Sequence, residues 1–417
     1  MRSRKPYKSL APGLLALLLT CASLPMHAQT YKVLHTFTGA PSDGEAPVGT
    51  LVRDAAGNLY GVTDLGGSGT CGQFTCGTVY MLTKTGKEVG VFSFTGQDGT
   101  FPEAGLFRDS GGNLYGTTLQ GGVHSCNNNP PGCGTLFQLS KTGSKIRYYS
   151  FTGSNGEFPE SPLIELSGSL YGTTNSGGVL GFGAVYKINA LGRETVLYSF
   201  QDGADGCDPY PGVTADSKGN LYGVAALGGS GGSCNDGYGT AYELDTTGNF
   251  TVLATFGGRA GANPDSALIF DPQGNLYGTA ANGGSSGECG FSGCGTVFEL
   301  SSHNGTWSER TLYSFCSLPD CADGREPVGP LVRDKPGNLY GTTFFGGAYG
   351  YGSVFKLDPS GNETVLYSFT GGSDGANPGG GLTIDASGNL YGVTVVGGDI
   401  SCNVFLGGCG VVFELTP

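Results

Sequence analysis

Asp271-Pro272-Gln273-Gly274-Asn275-Leu276-Tyr277-Gly278-Thr279 reads as a tight turn running into a short strand, and it decides the fold because the chain writes it repeatedly. Its Leu-Tyr-Gly core stands also at Leu59, Leu114, Leu170, Leu221, Leu339 and Leu390, at steps of 51 to 63 residues. A unit of this length, present seven times, means a repeat architecture.

Around this stretch the unit reads as four short strands. Ala267 to Phe270 is the first, Asn275 to Thr279 the second, Gly295 to Leu300 the third and Arg310 to Phe315 the fourth. β-branched and aromatic residues fill the strands, and Gly, Pro, Asp and Asn fill the gaps. The turn recurs as Asp-x-x-Gly-Asn from Asp54, Asp109, Asp216, Asp271, Asp334 and Asp385. Its Asp accepts local backbone hydrogen bonds and its Gly takes a positive φ, so the turn accounts for these acids structurally. The third copy, Leu166-Ser167-Gly168-Ser169, is one residue shorter and lacks the Asp.

Four antiparallel strands repeated radially make a propeller blade. The expected fold is all-β: a seven-bladed β-propeller of four-stranded antiparallel blades. The chain ends predict how it closes. Lys32 to Phe37 matches a fourth strand and Gly410 to Leu415 a third, so the amino-terminal strand completes the last blade and removes its free edge.

Residues 1–28 read as a secretory signal, with Arg2, Arg4, Lys5 and Lys8 ahead of a short apolar run from Leu14 to Leu19. Cleavage is expected after Ala28. A lipoprotein reading would use Cys21, but Thr20 before it is a poor fit. Residues 29–417 then form a single propeller, with no second apolar stretch to span a membrane. Removing the signal takes the net charge from −13 to −17, which argues against nucleic acid and anionic membrane as partners. The expected product is a monomer: extracellular, at the cell surface or periplasmic.

Twelve cysteines follow the signal, and an even count in an exported chain reads as disulfides. Close pairs are Cys71 with Cys76, Cys126 with Cys133, Cys289 with Cys294, Cys316 with Cys321, and Cys402 with Cys409. Cys207 and Cys234 remain, and the propeller lets them meet, because loops between second and third strands share a face with the blade-to-blade linkers. The shortest such loops, Gly178 to Gly183 and Gly347 to Gly352, hold no cysteine. Zinc knuckles of the Cys-x-x-Cys kind are missing.

The same face carries Asp43-Gly44-x-x-Pro47, recurring as Asp98 to Pro102, Asn155 to Pro159, Asp205 to Pro209, Ala260 to Pro264, Asp323 to Pro327 and Asp374 to Pro378. Each Pro lies just ahead of a channel-lining strand. Asp43, Asp98, Asp205, Asp323 and Asp374 are therefore expected as a partial ring near the channel mouth, able to hold Ca²⁺ or a cationic ligand. The alternative is that Asp-Gly starts a turn and Pro fixes the path into the strand. No Asp-x-Asp-x-Asp-Gly calcium loop exists, so the metal content stays unknown. Loop aromatics Phe74, Tyr210, Phe291, Tyr349, Tyr351 and Phe405 stand on this face and could stack on sugar rings. His35, His124 and His303 fall in different blades and unlike positions, which gives no triad; His35 is expected to pack outward.

Gly-Asn-Leu-Tyr-Gly-Thr-Thr, then Gly-Gly, then Gly-Thr-Val-Phe-Glu-Leu, then Thr-Val-Leu-Tyr-Ser-Phe resembles the GloVer tandem-repeat family, exported bacterial "choice-of-anchor" proteins. The resemblance covers nearly the whole chain after residue 28. It implies export and a repeat fold, carries no catalytic residues, and differs here in that no sorting tail follows Pro417. The Asp-x-x-Gly-Asn-Leu-Tyr turn bears a looser likeness to NHL-type propellers.

The expected function is a non-catalytic binding or scaffold propeller that presents a disulfide-stapled loop face to a carbohydrate, protein or cell-wall partner. The alternative is a carbohydrate-active or lactone-cleaving enzyme, with or without a metal ion, in which Asp98, Asp205 and Asp323 are acid–base or metal groups. An enzyme needs unlike polar residues converging from several blades; the near-uniform loops lean toward binding.

Overall fold

The computed structural model describes residues 29–126, 132–229, 233–234, 237–402 and 407–417. The expected signal, residues 1–28, lies outside them. Seven antiparallel sheets form the blades. Blade 1 comprises Gly44–Arg53, Leu59–Gly66, Thr78–Leu82 and Glu88–Ser93; blade 2 comprises Phe107–Arg108, Leu114–Thr118, Thr135–Leu139 and Lys145–Ser150. Ile164–Leu166, Ser169–Thr174, Ala184–Ile188 and Glu194–Ser199 form blade 3; Val213–Ala215, Leu221–Ala225, Thr240–Leu244 and Phe250–Thr255 form blade 4. Blade 5 runs through Ile269–Phe270, Leu276–Asn282, Thr296–His303 and Thr306–Ser314; blade 6 through Arg325–Arg333, Leu339–Phe345, Ser353–Leu357 and Glu363–Ser368. Blade 7 takes Thr383–Ile384, Leu390–Val396 and Val411–Thr416, and Thr30–Thr36 supplies its outer strand. Thr30 sits opposite Thr416, Val33 opposite Phe413 and Thr36 opposite Val411. The ring is closed by the chain's own two ends, as the sequence predicts.

The first strand of blade 5 is shorter than expected. In blade 5 pairing covers Ile269–Phe270, with Ala262–Pro264 pairing separately, and Ala267–Leu268 lies between. Ser266 Oγ accepts from Thr279 N at 2.8 Å, in the place of a backbone partner. The chain so released bends into the channel.

The repeated residues have one packing purpose. Phe37, Phe94, Phe151, Phe200, Phe256, Phe315 and Phe369 close the outer strands and are fully buried, at 0–1% exposure. Each meets, edge to face, the ring at the middle of the next blade's third strand: Tyr80, Phe137, Tyr186, Tyr242, Phe298, Phe355 or Phe413, at 4.8–5.4 Å. Such pairs contribute roughly 0.5–1.5 kcal/mol beyond the area they bury. The tip of that second ring abuts the glycine of Leu-Tyr-Gly. A Cβ at Gly61, Gly278 or Gly392 would come within 2.4–2.6 Å of Tyr80, Phe298 or Phe413. The glycine is required by this close approach, and not by a turn.

Three of these rings are tyrosines. Tyr80, Tyr186 and Tyr242 are fully buried, and their hydroxyls have no hydrogen-bond partner among the described residues. An unpartnered buried hydroxyl costs about 1–3 kcal/mol, and four other blades carry Phe in the same place. Tyr186→Phe is expected to raise stability by about 1 kcal/mol, read as an upward shift of the denaturant midpoint without change of slope; an unchanged or lower midpoint refutes it.

All six expected disulfides form, including Cys207–Cys234, with Cα–Cα distances of 4.0–5.9 Å. Sγ atoms of several lie against the blade-to-blade linkers, as Cys402 does at Gly39 and Cys126 at Gly153. No helix among the described residues is long and apolar enough to cross a membrane.

Candidate functional site

The Asp-x-x-Gly-Asn turns are structural, as the sequence reading holds. Asp54 Oδ1 accepts from Ala56 N and Asn58 N, and its Oδ2 from Asn58 Nδ2 and the Tyr60 hydroxyl, all at 2.9–3.2 Å. Asp109, Asp271, Asp334 and Asp385 repeat the pattern, including the bond from the Tyr of Leu-Tyr-Gly. Burial alone would raise these carboxyls, but the converging donors outweigh it and hold Asp54, Asp109, Asp271, Asp334 and Asp385 below the usual range.

The expected ring of carboxylates at the channel mouth does not form. None of Asp43, Asp98, Asp205, Asp323 and Asp374 lines the central cavity. Each turns back onto the outer strand before it, because the linker offers an N–H there. Asp205 Oδ2 takes Gln201 N and the Tyr198 hydroxyl at 3.0 and 2.9 Å. Asp323 Oδ2 takes Ser317 N and Tyr313 at 2.8 and 2.7 Å, and Asp374 Oδ2 takes Thr370 N and Tyr367 at 2.9 and 3.0 Å. Asp98 accepts from Thr95 N at 2.8 Å and from Lys145 Nζ at 3.2 Å. A bulge one residue before each of these tyrosines, as where Val354 pairs Tyr367 and Phe355 pairs Val365, aims the side chain at the linker. The motif is a turn lock between blades, the alternative the sequence left open.

The channel mouth is built one residue beyond the recurrent Pro. Val48, Glu103, Glu160, Tyr210, Asp265, Val328 and Gly379, one from each blade in order, line a cavity of about 310 Å³. The residue before each Pro makes this possible. Ala46, Phe101, Phe158, Asp208, Asn263, Glu326 and Asn377 all hold a left-handed φ of 53–59°. That conformation costs each non-glycine roughly 1–2 kcal/mol, and it turns the following residue inward.

The resulting ring is two-sided. Blades 2 to 5 contribute Glu103, Glu160, Tyr210 and Asp265; blades 6, 7 and 1 contribute Val328, Gly379 and Val48, backed by Phe344 and Val395. The Tyr210 hydroxyl donates to Asp265 Oδ1 in a short hydrogen bond. Burial, then the Asp64 and Glu160 charges, pushes Glu103 up to about 8. Burial, with Asp208 and Asp265, pushes Glu160 up to about 7, and burial raises Asp265 to about 6 despite the Tyr210 bond. Asp64, with a buried Oδ1 that lacks a partner, rises to about 6 through burial and Glu45. The site thus holds protons near neutral pH that water-exposed acids would have lost.

Of the expected loop aromatics, Tyr210 lines this cavity, Tyr349 is 62% exposed on its loop, and Phe74 sits edge-on to Phe101 at 6.3 Å. Phe405 and the Phe291 side chain lie outside the described residues. Sequence reasoning missed Glu103, Glu160 and Asp265. The signal was available: they share one repeat position, directly after the invariant Pro, and three of the seven copies carry an acid there.

A second cavity, of about 580 Å³, opens between blades 2 and 3, lined by Tyr115, Gln138, Arg147 and Glu165. Part of its wall is the short third copy, through Glu165, Gly168 and Leu170. Arg53 covers Tyr391 and Arg108 covers Tyr60, at 5.6 and 5.4 Å, from the position that pairs with the Leu of Leu-Tyr-Gly; in blade 3 that position, opposite Leu170, is Glu165. Its polar groups are engaged, Glu165 by Gly168 N and Arg147 by the Ala190 carbonyl. Convergent unlike groups are found at the channel mouth instead.

Streptogramin B lyase has a similar fold, with 14% identity, a TM-score of 0.57, and coverage of 93% of this chain and 97% of that one. The extracellular domain of a putative hybrid two-component system from B. thetaiotaomicron matches at 13% identity and TM-score 0.54, over 93% of this chain and 41% of that one. A putative 6-phosphogluconolactonase from Bacteroides uniformis matches at 15% and 0.51, over 86% and 99%. At these identities the likeness is one of fold alone. No curated protein sequence matches. The Gloeobacter/Verrucomicrobia repeat profile, in contrast, matches residues 68–289 and 195–406, the span in which the aromatic belt and its glycines recur, and the chain belongs to that family.

Proposed function

We propose that the chain is an exported, non-catalytic binding module whose channel mouth takes a small ligand rich in hydrogen-bond donors, of the amino-sugar class. The observation that carries this reading is the arc of Glu103, Glu160, Tyr210 and Asp265 facing the apolar arc of Val48, Val328 and Phe344. A sugar ring offers the same two sides, a polar edge and an apolar face. Three crowded acids favour an ammonium, which relieves the repulsion that protons otherwise relieve. Six disulfides fit an oxidising compartment, and one protein of similar fold is named as an extracellular domain.

Titration calorimetry with N-trimethylated glucosamine oligomers and neutral glucose oligomers at pH 5.5 and 8.5 tests it. The amino sugar is expected to bind at least about tenfold more tightly at pH 8.5, where the acids are charged and its quaternised amine keeps its own charge. The triple variant E103Q/E160Q/D265N should lose that preference. Equal binding of charged and neutral sugars at both pH values would defeat the reading.

A second reading rests on the same acids. Carboxyls that titrate near neutral pH are suited to general acid–base work, so the mouth also fits a lactone- or glycoside-cleaving site. Turnover of a lactone or glycoside panel, abolished in E103Q or E160Q, would favour it over pure binding.

A further inference from the structure

The turn lock between blades uses three positions: an outer-strand residue, the linker Asp and a residue on the next outer strand. Six of the seven locks carry Tyr149 with Asn155 and Glu194, Tyr198 with Asp205 and Phe250, Tyr313 with Asp323 and Glu363, Tyr367 with Asp374 and Tyr31, Phe92 with Asp98 and Lys145, or Ala254 with Ala260 and Glu309. The seventh, at the seam where the ring closes, carries His35, Asp43 and Glu88. His35 does not pack outward as expected: its Nε2 lies 3.5 Å from Asp43 Oδ2 and 3.7 Å from Glu88 Oε2.

These distances are too long for charge-assisted hydrogen bonds, which close to about 2.7–2.9 Å. Nε2 is buried and has no hydrogen-bond partner among the described residues. The three ligand atoms all lie within 4.8 Å of one another. Ligands at about 2.0–2.2 Å from a tetrahedral ion stand about 3.4 Å apart, close to the observed spacing. Asp43 is held in place by Thr38 N at 2.8 Å and Gly44 N at 2.7 Å, the outer support that ligating carboxylates have. Asp43 and Glu88 also border a cavity of about 250 Å³, which gives an ion a way in and room for water as a fourth ligand.

We propose that His35, Asp43 and Glu88 bind one divalent transition-metal ion of the zinc or manganese kind, which fastens the ring-closing strand to blade 1. One imidazole and two carboxylates suit these ions, while Ca²⁺ wants six or more oxygens. This site is separate from the channel mouth and stands or falls without it.

The test uses the untagged chain, stripped with EDTA and desalted, then titrated with ZnCl₂, MnCl₂ or CaCl₂ and followed by calorimetry, elemental analysis and thermal melting. One equivalent of Zn²⁺ or Mn²⁺ is expected, with a rise in melting temperature that Ca²⁺ does not give. His35→Tyr installs the residue that four sister locks carry, so it should fold; it and Glu88→Gln should each weaken binding by about 100-fold or more. Substoichiometric binding by the parent chain, binding retained in both folded variants, or a Ca²⁺ preference would overturn the assignment.

Discussion

Deleting residues 29–37 should abolish cooperative folding of the ring. The deletion removes Phe37, fully buried among Leu51, Leu59 and Tyr80, and Tyr31, which stacks on Tyr367 at 3.9 Å and donates to the Asp374 carbonyl at 2.6 Å. Large aromatic truncations in a core cost about 3–5 kcal/mol each. Adding the lost strand pairing gives a total on the order of 10 kcal/mol, comparable with the whole net stability of a typical folded domain. Val411–Thr416 would also become a free edge, open to pairing with another chain. Circular dichroism melting with size-exclusion chromatography reads the outcome: a broad or absent transition and association are expected. A monomer melting at the parent temperature would mean the strand is ornamental. Phe37→Ala alone should fall between, at about 3–5 kcal/mol.

The second large effect is a pH dependence centred on the channel. Glu103, Glu160 and Asp265 have folded values raised to about 8, 7 and 6. Between the unfolded carboxyl range, about pH 4, and those values, the folded chain binds more protons than the unfolded one. Stability must therefore fall as pH rises through that window, and level off above about pH 8. At the acid end, Asp54, Asp109, Asp271, Asp334 and Asp385 act oppositely: their folded values are depressed, so their contribution is present above about pH 4 and is lost as pH falls below it. The maximum is expected in mildly acidic solution. Glu103→Gln should gain about 1–3 kcal/mol over the parent at pH 8.5 and nothing at pH 4, measured by urea unfolding at both. A gain of equal size at both values would show that the glutamate's packing, and not its proton, sets the effect.

The architecture was legible because its causes are local and repeated. Asp-x-x-Gly-Asn names a turn by its own chemistry, and the strands alternate as a half-buried sheet must. Ring closure followed from strand types at the two ends. Cys207 and Cys234 could be paired from topology alone, although 27 residues separate them. The site was harder. An Asp before Gly near a channel strand looks like a ligand in sequence, but whether its oxygens face solvent or a neighbouring N–H depends on a left-handed residue that no composition rule marks. Ala46 and Phe101 take that conformation without being Gly or Asn. Shifting attention from Asp98 to Glu103 requires knowing that bend. His35 was misplaced for a related reason: a bulge beside Leu34, where the pairing steps from Val33 to His35, turns the imidazole toward the linker.

The pairing of Thr30–Thr36 with Val411–Thr416 also orders events in time. A polypeptide that emerges amino end first must carry an unsatisfied ribbon through the making of nearly four hundred further residues before its partner arrives. Six blades can mature while the seventh waits. Completion is thus a single late, very non-local step, slow by topology and vulnerable to capture by another nascent copy.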